Sequence, residues 1–208
     1  MTPPDGRTPV RAVVFDFGGV ISSVDVGIFL RKIAPRTEKT VAQIGSLIYG
    51  SKLPVLYESG RISSAEFFAR LAELCGLRMT EEEFVAAFNG IFTPIESTCD
   101  LIRRLEGRYR LGLLSNTNEW HFRGPIEATP VYPLFDTVTL SYVVREMKPG
   151  ERIYRDALDK LGLPPEACVF IDDIEENVAA ARKLSMRGIR YEGHDSLVAA
   201  LAELSITA

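Results

Sequence analysis

The sequence predicts an α/β fold: a doubly wound, Rossmann-like parallel sheet with an α-helical cap inserted into it. Three observations lead there. Apolar runs without polar alternation, such as Val13–Phe15 and Ala167–Ile171, read as strands covered on both faces. In the C-terminal half such runs alternate with helical patterns, which argues for parallel strands joined by helices. Residues 23–94 break that rhythm, carrying several helical patterns and no convincing strand.

In chain order, MTPPDGRTP is a Pro-rich tail without the apolar core of a signal peptide. The first strand, Val13–Phe15, ends at Asp16 and is followed by Gly18-Gly19. Within residues 23–94, Ser63-x-x-Glu66 and Thr80-x-x-Glu83 are capping boxes. Each opens an amphipathic run, Phe67, Phe68, Leu71 and Leu74 in one and Phe84, Val85 and Phe88 in the other, which reads as cap core. RLGLLSN (residues 110–116) and DTVTLS (136–141) are the next strands. ERIYRDALDKLG places Ile153, Ala157, Leu158 and Leu161 on one helical face, with Gly162 as its stop. ACVFIDD (167–173) is a strand ending in carboxylates, and residues 175–184 form a helix with acidic residues in its first turn. RGIRY and a helix over 195–204 close the chain. The expected division is a core of residues 10–22 and 95–208 and a cap of residues 23–94.

A chain of 208 residues suffices for one α/β core with a small accessory domain. Its formal charge of −4 gives no electrostatic case for nucleic acid or an anionic membrane. No apolar run approaches bilayer length. Cys75, Cys99 and Cys168 are scattered and odd in number, which fits reduced thiols in a cytoplasm better than disulfides or a zinc site. Two histidines exclude a His-rich metal centre. The expectation is a cytoplasmic monomer or weak homodimer acting on a small metabolite.

In parallel α/β sheets the ligand crevice lies beyond the carboxyl ends of the strands. Asp16, Ser115, Lys148 and the pair Asp172-Asp173 fall at such ends or in the loops after them. Singly they read as a turn residue, a strand terminator, a surface charge and a helix cap. Jointly they put three carboxylates, a lysine and a hydroxyl in one crevice. Carboxylates gathered there repel unless a cation neutralises them, and all-oxygen ligation selects Mg²⁺.

An aspartate after an apolar strand, a serine ending the next, Lys-Pro, and then Asp-Asp resemble, in that order, the haloacid dehalogenase-like hydrolases. The match runs from Val13 to about Tyr191. FDFGGV, LLSNTN, EMKPGERIY and FIDDIEENVAAA are most similar to the bacterial α-glucose-1-phosphate phosphatase subgroup, and YESGRISSAEFF sits where that subgroup carries its small helical cap. The resemblance implies Mg²⁺-dependent hydrolysis of a small phosphate monoester through an aspartyl-phosphate, with a sugar 1-phosphate as leading substrate. Asp16 would be the nucleophile. The metal would be held by Asp16, the Gly18 carbonyl and Asp173, with Asp172 nearby or bound through water. Ser115 and the Asn116 N–H would grip the transferring oxygens, and Lys148 would neutralise charge growing on them.

Gly18 departs from the family pattern, because most of its phosphatases carry a second aspartate there to protonate the leaving group. General acid–base help is worth ~10²–10⁴-fold. One explanation is a leaving group that needs little protonation, such as the acidic 1-hydroxyl of a sugar. A second is dehalogenation, where halide leaves without a proton, although Asp172-Asp173 counts against it. A third is a phospho-ligand-binding protein that has lost catalysis. Asn118, Trp120 and His121 are candidate pocket residues, and a water-activating role for His121 is outweighed by a bland one. Glu58 and Arg61 either touch substrate from the cap or form a solvated helix end, the latter being slightly preferred.

Overall fold

β1 (Ala12–Phe15) is a strand because both of its faces are apolar and both are covered: Val13 and Phe15 point into one core layer, Ala12 and Val14 into the other. The computed structural model describes residues 8–207, so the Pro-rich tail falls mostly outside the described residues. After β1 the chain turns through Gly18-Gly19 into β2 (Ser22–Val24) and then a run of helices: α1 (Val26–Ile33), α2 (Val41–Gly50), α3 (Leu53–Glu58), α4 (Ser64–Cys75) and α5 (Glu81–Asn89). β3 (Phe92–Pro94) returns antiparallel to β2. This two-stranded ribbon lies largely inside the stretch expected to hold no strand. Three-residue strands are too short to show a period of two, which is why the pattern hid them.

α6 (Glu96–Leu105) leads to β4 (Arg110–Ser115), followed by the single turn α7 (Glu119–His121). β5 (Thr137–Leu140), α8 (Ser141–Val144) and α9 (Glu151–Leu161) come next, then β6 (Cys168–Asp172), α10 (Glu175–Lys183), β7 (Arg187–Arg190) and α11 (His194–Glu203). The sheet is parallel with strand order β5-β4-β1-β6-β7. Its central strand is therefore β1, and the carboxyl ends of β1, β4 and β6 open on one crevice. α6 and α11 cover the face of Val13 and Phe15, while α9 and α10 cover the other. On α9, Ile153, Ala157 and Leu161 are buried as their spacing predicts. Leu158 is only partly buried, and Tyr154 fills the core in its place, its hydroxyl donating to the Asn177 carbonyl at 2.9 Å. Gly162 ends α9 in the left-handed conformation.

The helices α1–α5 bury their own cluster, built on Phe29, Ile33, Ile44, Phe67, Leu71 and Phe84. Both expected capping boxes are formed, and Thr40 with Gln43 makes a third at the start of α2. Trp120, on α7, packs into this cluster with ring-centre distances of 5.5 Å to Tyr57 and 5.8 Å to Phe84, and its backbone N–H donates to the Tyr57 hydroxyl at 3.3 Å. The three cysteines are buried free thiols. Among the described residues no helix is long and apolar enough to cross a membrane.

Candidate active site

Asp16 sits one residue past the end of the central strand, where its N–H still donates to the Ile171 carbonyl at 2.9 Å. Its Oδ1 accepts from the Phe17 N–H at 2.7 Å and meets Lys148 Nζ at 2.8 Å. Lys148 Nζ also contacts Asp172 Oδ2 at 2.7 Å and donates to the Leu114 carbonyl at 3.1 Å. These side chains are almost sealed from solvent, at 1% exposure for Lys148, 10% for Asp16 and 0% for Asp172. Lys148, Asp16, Asp172 and Asp173 are thus brought together as their strand-end positions predict.

The lysine is placed by Asn116, whose side-chain amide clamps its backbone. Oδ1 accepts from Lys148 N–H at 2.7 Å and Nδ2 donates to the Lys148 carbonyl at 3.0 Å. Asn116 was expected only as a backbone donor, and this clamp escaped the sequence reading. Ser115 is buried at the end of β4, its hydroxyl making one long contact of 3.4 Å to the Asn116 carbonyl, which leaves it available to a ligand oxygen.

Carboxyl oxygens of Asp16, Asp172 and Asp173 lie within 4.8 Å of one another. Three carboxylates against one ammonium leave an excess of two negative charges in a largely buried crevice. Burial, with Asp172 adding and Lys148 opposing, pushes the Asp16 carboxyl up to about 7. Burial and then Asp172 raise Asp173 as well. A divalent cation with oxygen ligands fits this donor set and this charge. Asp172 is the least available ligand. Its Oδ1 accepts from the Ile174 N–H and its two oxygens share Asn177 Nδ2 at 3.0 and 3.1 Å, in addition to Lys148. Asp172 thus orients Lys148 while remaining one of the three carboxylates of the cluster, and Asp173 accepts no side-chain hydrogen bond among the described residues. Asp173 reaches over the turn after β1 because Gly19, at φ +79°, has no Cβ, and a Cβ there would collide with that carboxylate.

Above the crevice a cavity of about 190 Å³ separates the strand ends from α1–α5. Gly18, Ser115 and Asn116 form its floor, Val24, Phe29, Ile48, Tyr49 and Phe88 much of its wall, and Asn118, His121 and Glu58 its other polar groups. His121 stacks on Phe88 at 4.1 Å, and burial pushes it down to about 4. Asn118 Oδ1 accepts from the His121 N–H at 3.0 Å, so Asn118 Nδ2 faces and donates to His121 Nδ1. The proton then lies on Nε2, which has no partner. That arrangement leaves no ring lone pair for water, which counts against a water-activating role, and the ring lies against the Phe88 side chain and backbone.

Glu58 departs from the preferred expectation of a solvated helix end. It lines the cavity, and burial pushes its carboxyl up to about 7. Arg61 is exposed, as expected. The turn carrying Glu58 is held against α8: Ser141 Oγ donates to the Glu58 carbonyl at 2.6 Å and accepts from the Thr117 N–H at 2.9 Å. Two residues on, Gly60 lies against the Tyr142 carbonyl, where a Cβ would not fit. Nothing in the sequence marked Ser141 or Asn177 as parts of the site.

A family model described as haloacid dehalogenase-like hydrolase matches residues 10–184. The chain belongs to the haloacid dehalogenase-like hydrolases. It is 28% identical over 198 residues to a D-ribitol-5-phosphate phosphatase of Bacteroides thetaiotaomicron, covering 88% of this chain and 92% of the relative. It is 26% identical over 186 residues to a sesquiterpene phosphatase of Aspergillus oryzae, covering 88% and 90%. A haloacid dehalogenase family enzyme from Bacteroides thetaiotaomicron, solved in complex with magnesium and inorganic phosphate, shares the fold with a TM-score of 0.77, 23% identity and coverage of 88% and 94%. As a hydrolase of this family the chain keeps the expected strand-end aspartate, serine, lysine and acidic pair in one crevice.

Proposed function

We propose that the protein is a Mg²⁺-dependent phosphatase that hydrolyses a small phosphate monoester through an aspartyl-phosphate on Asp16. The observation that carries this reading is the cluster itself: three carboxylates within 4.8 Å and a lysine 2.8 Å from Asp16 at the end of the central strand. A dehalogenase site needs no metal, and such an acidic crevice would repel its carboxylate substrate. The phosphatases among the relatives and the magnesium–phosphate complex of the fold neighbour support the same reading.

Asp16, the Gly18 carbonyl and Asp173 would hold Mg²⁺, whose charge lets an anionic nucleophile meet an anionic phosphate. Asp16 attacks phosphorus in line with the ester oxygen. Lys148, fixed by Asn116 and Asp172, faces the charge that develops beside Asp16. Ser115 Oγ and the Asn116 N–H grip the transferring oxygens. The aromatic and aliphatic wall of the cavity would limit the water that reaches the first transfer.

A sugar 1-phosphate is the leading substrate, since an anomeric oxygen departs with little protonation and position 18 supplies none. The cavity favours a second reading. Its wall is mostly aromatic and aliphatic, which suits the phosphate of an apolar alcohol, the class named for the Aspergillus relative.

Phosphate release from α-glucose 1-phosphate, glucose 6-phosphate, hexyl phosphate and p-nitrophenyl phosphate tests the function, with Mg²⁺ and with chelator. Metal-dependent release that vanishes in Asp16→Asn is the expected result. Release that survives both chelation and Asp16→Asn would sink the reading. Preference for the 1-phosphate over hexyl phosphate decides between the two substrate classes.

A further inference from the structure

Position 18 lacks a carboxylate, but Glu58 brings one to the same cavity from the helical insert. In an in-line transfer the leaving oxygen lies on the far side of phosphorus from Asp16, pointing away from the sheet and toward the helices above it. Glu58, from the helical insert, lines the same cavity as Gly18, Ser115 and Asn116. Its turn is fixed rather than free, since Ser141 links the Glu58 carbonyl to Thr117, two residues past Ser115. Among the described residues no side chain donates to its carboxyl, which leaves it open to a ligand.

We propose that Glu58 is the general acid–base of this site, supplied from the helical insert in place of residue 18. The inference rests on the phosphatase reading above and assigns the proton that reading leaves without a donor. In the first transfer an Asp16 oxygen bonds to phosphorus, the bond to the ester oxygen breaks, and the Glu58 proton passes to that oxygen, releasing the alcohol. In the second, the Glu58 carboxylate takes a proton from water as the water oxygen bonds to phosphorus. The acyl-phosphate bond breaks, Asp16 is regenerated, phosphate leaves, and Glu58 is again protonated.

Burial holds Glu58 protonated well above the ordinary carboxylate range, so both forms are populated near neutral pH, as an acid–base needs. The ionisable groups around it do not offset this. Tyr49 on α2, Tyr57 beside it and Tyr142 on α8 are neutral phenols with raised values, and His121 across the cavity is neutral. Arg61 and, on α4, Glu66, Arg70 and Glu73 lie exposed on the outer surface. With Glu58 as donor, ordinary alcohols become competent leaving groups, and the substrate need not be an anomeric phosphate.

The test is kcat/KM for wild type and Glu58→Gln with Mg²⁺ across phosphates of graded leaving-group acidity, from p-nitrophenyl to phenyl to hexyl. Because p-nitrophenolate departs without a proton, Glu58→Gln should keep kcat/KM for that ester within about 3-fold and lose about 10²-fold or more on hexyl phosphate. It should also accumulate phosphorylated Asp16, seen by intact mass after quenching, and lose the fall in kcat/KM on hexyl phosphate that the wild type shows as pH rises through Glu58's titration. An equal loss on all three esters means a positioning role and overturns the proposal, as does an unchanged hexyl rate. A wild type inactive on every ester overturns the phosphatase reading and this proposal together.

Discussion

Replacing Lys148 by methionine removes the one cation from between two buried carboxylates. Its Nζ lies 2.8 Å from Asp16 and 2.7 Å from Asp172, and all three side chains are at least nine-tenths hidden. At an effective dielectric of about 20, each contact is worth about 6 kcal/mol of gross attraction, most of it offset by desolvation of the ions. Deleting one partner of such a cluster leaves the others uncompensated, and the expected loss is about 3–5 kcal/mol. For a chain of this size that corresponds to a fall of about 6–20 °C in Tm. The assay is urea unfolding at pH 7 in chelator, on wild type, Lys148→Met, Asp172→Asn and the double variant. The double variant removes one charge of each sign, so it should be less destabilised than the two single losses added. Additive losses, or a single loss below about 1 kcal/mol, would show that the ion cluster does not hold this end of the sheet as argued.

Other consequences can be measured separately. Glu58 titrates near 7 in the folded chain against an ordinary 4.5, so between those values the folded form keeps a proton that the unfolded form gives up. Stability from this group therefore declines as pH rises through that window, by at most about 3 kcal/mol. Glu58→Gln should match wild type in urea at pH 4.5 and exceed it at pH 8, and parallel behaviour at both would refute the burial argument. Position 18 has ordinary φ, and a Cβ there would sit 3.4 Å from Val24, so Gly18→Asp is sterically admissible. Added to Glu58→Gln it should restore at least 10-fold of the lost kcat/KM on hexyl phosphate; a folded, metal-binding double variant without recovery would count against an acid at either position. Ser141→Ala leaves the buried Thr117 N–H without an acceptor and should cost about 1–3 kcal/mol in urea unfolding, and a loss near zero would mean the link carries no load.

The fold and the chemical cluster were legible because strong local patterns encode them. Strand ends in parallel sheets converge, so a carboxylate after each apolar run was enough to bring Asp16 and Asp172-Asp173 together. Lys148 by itself read as a surface charge, and only its company with the other strand-end groups and the resemblance to a family with Lys-Pro at that place drew it into the site. What stayed hidden depends on contacts between distant segments. Asn116 looks like any polar residue after a strand until its amide is seen on the Lys148 backbone. Ser141 carries no motif, and Asn177 is one polar residue on a helix. Glu58 was misjudged because a helix-end glutamate is usually solvated, and only packing of α3 against α8 puts it in the cavity. The β2–β3 ribbon was too short to have a readable period.

Trp120 is the chain's sole tryptophan. It stands on α7, the turn of helix after β4, yet its indole is held among Tyr57, Phe67, Phe84 and Phe88 of the helical insert. Any separation of insert from sheet to admit substrate must pull that ring out of its aromatic nest into water. The molecule thus carries its own optical reporter: emission should redden and become quenchable by iodide on opening, and shift back to the blue when ligand draws the two parts together. Stopped-flow fluorescence could follow that motion without any label, on the same sample that is turning over substrate.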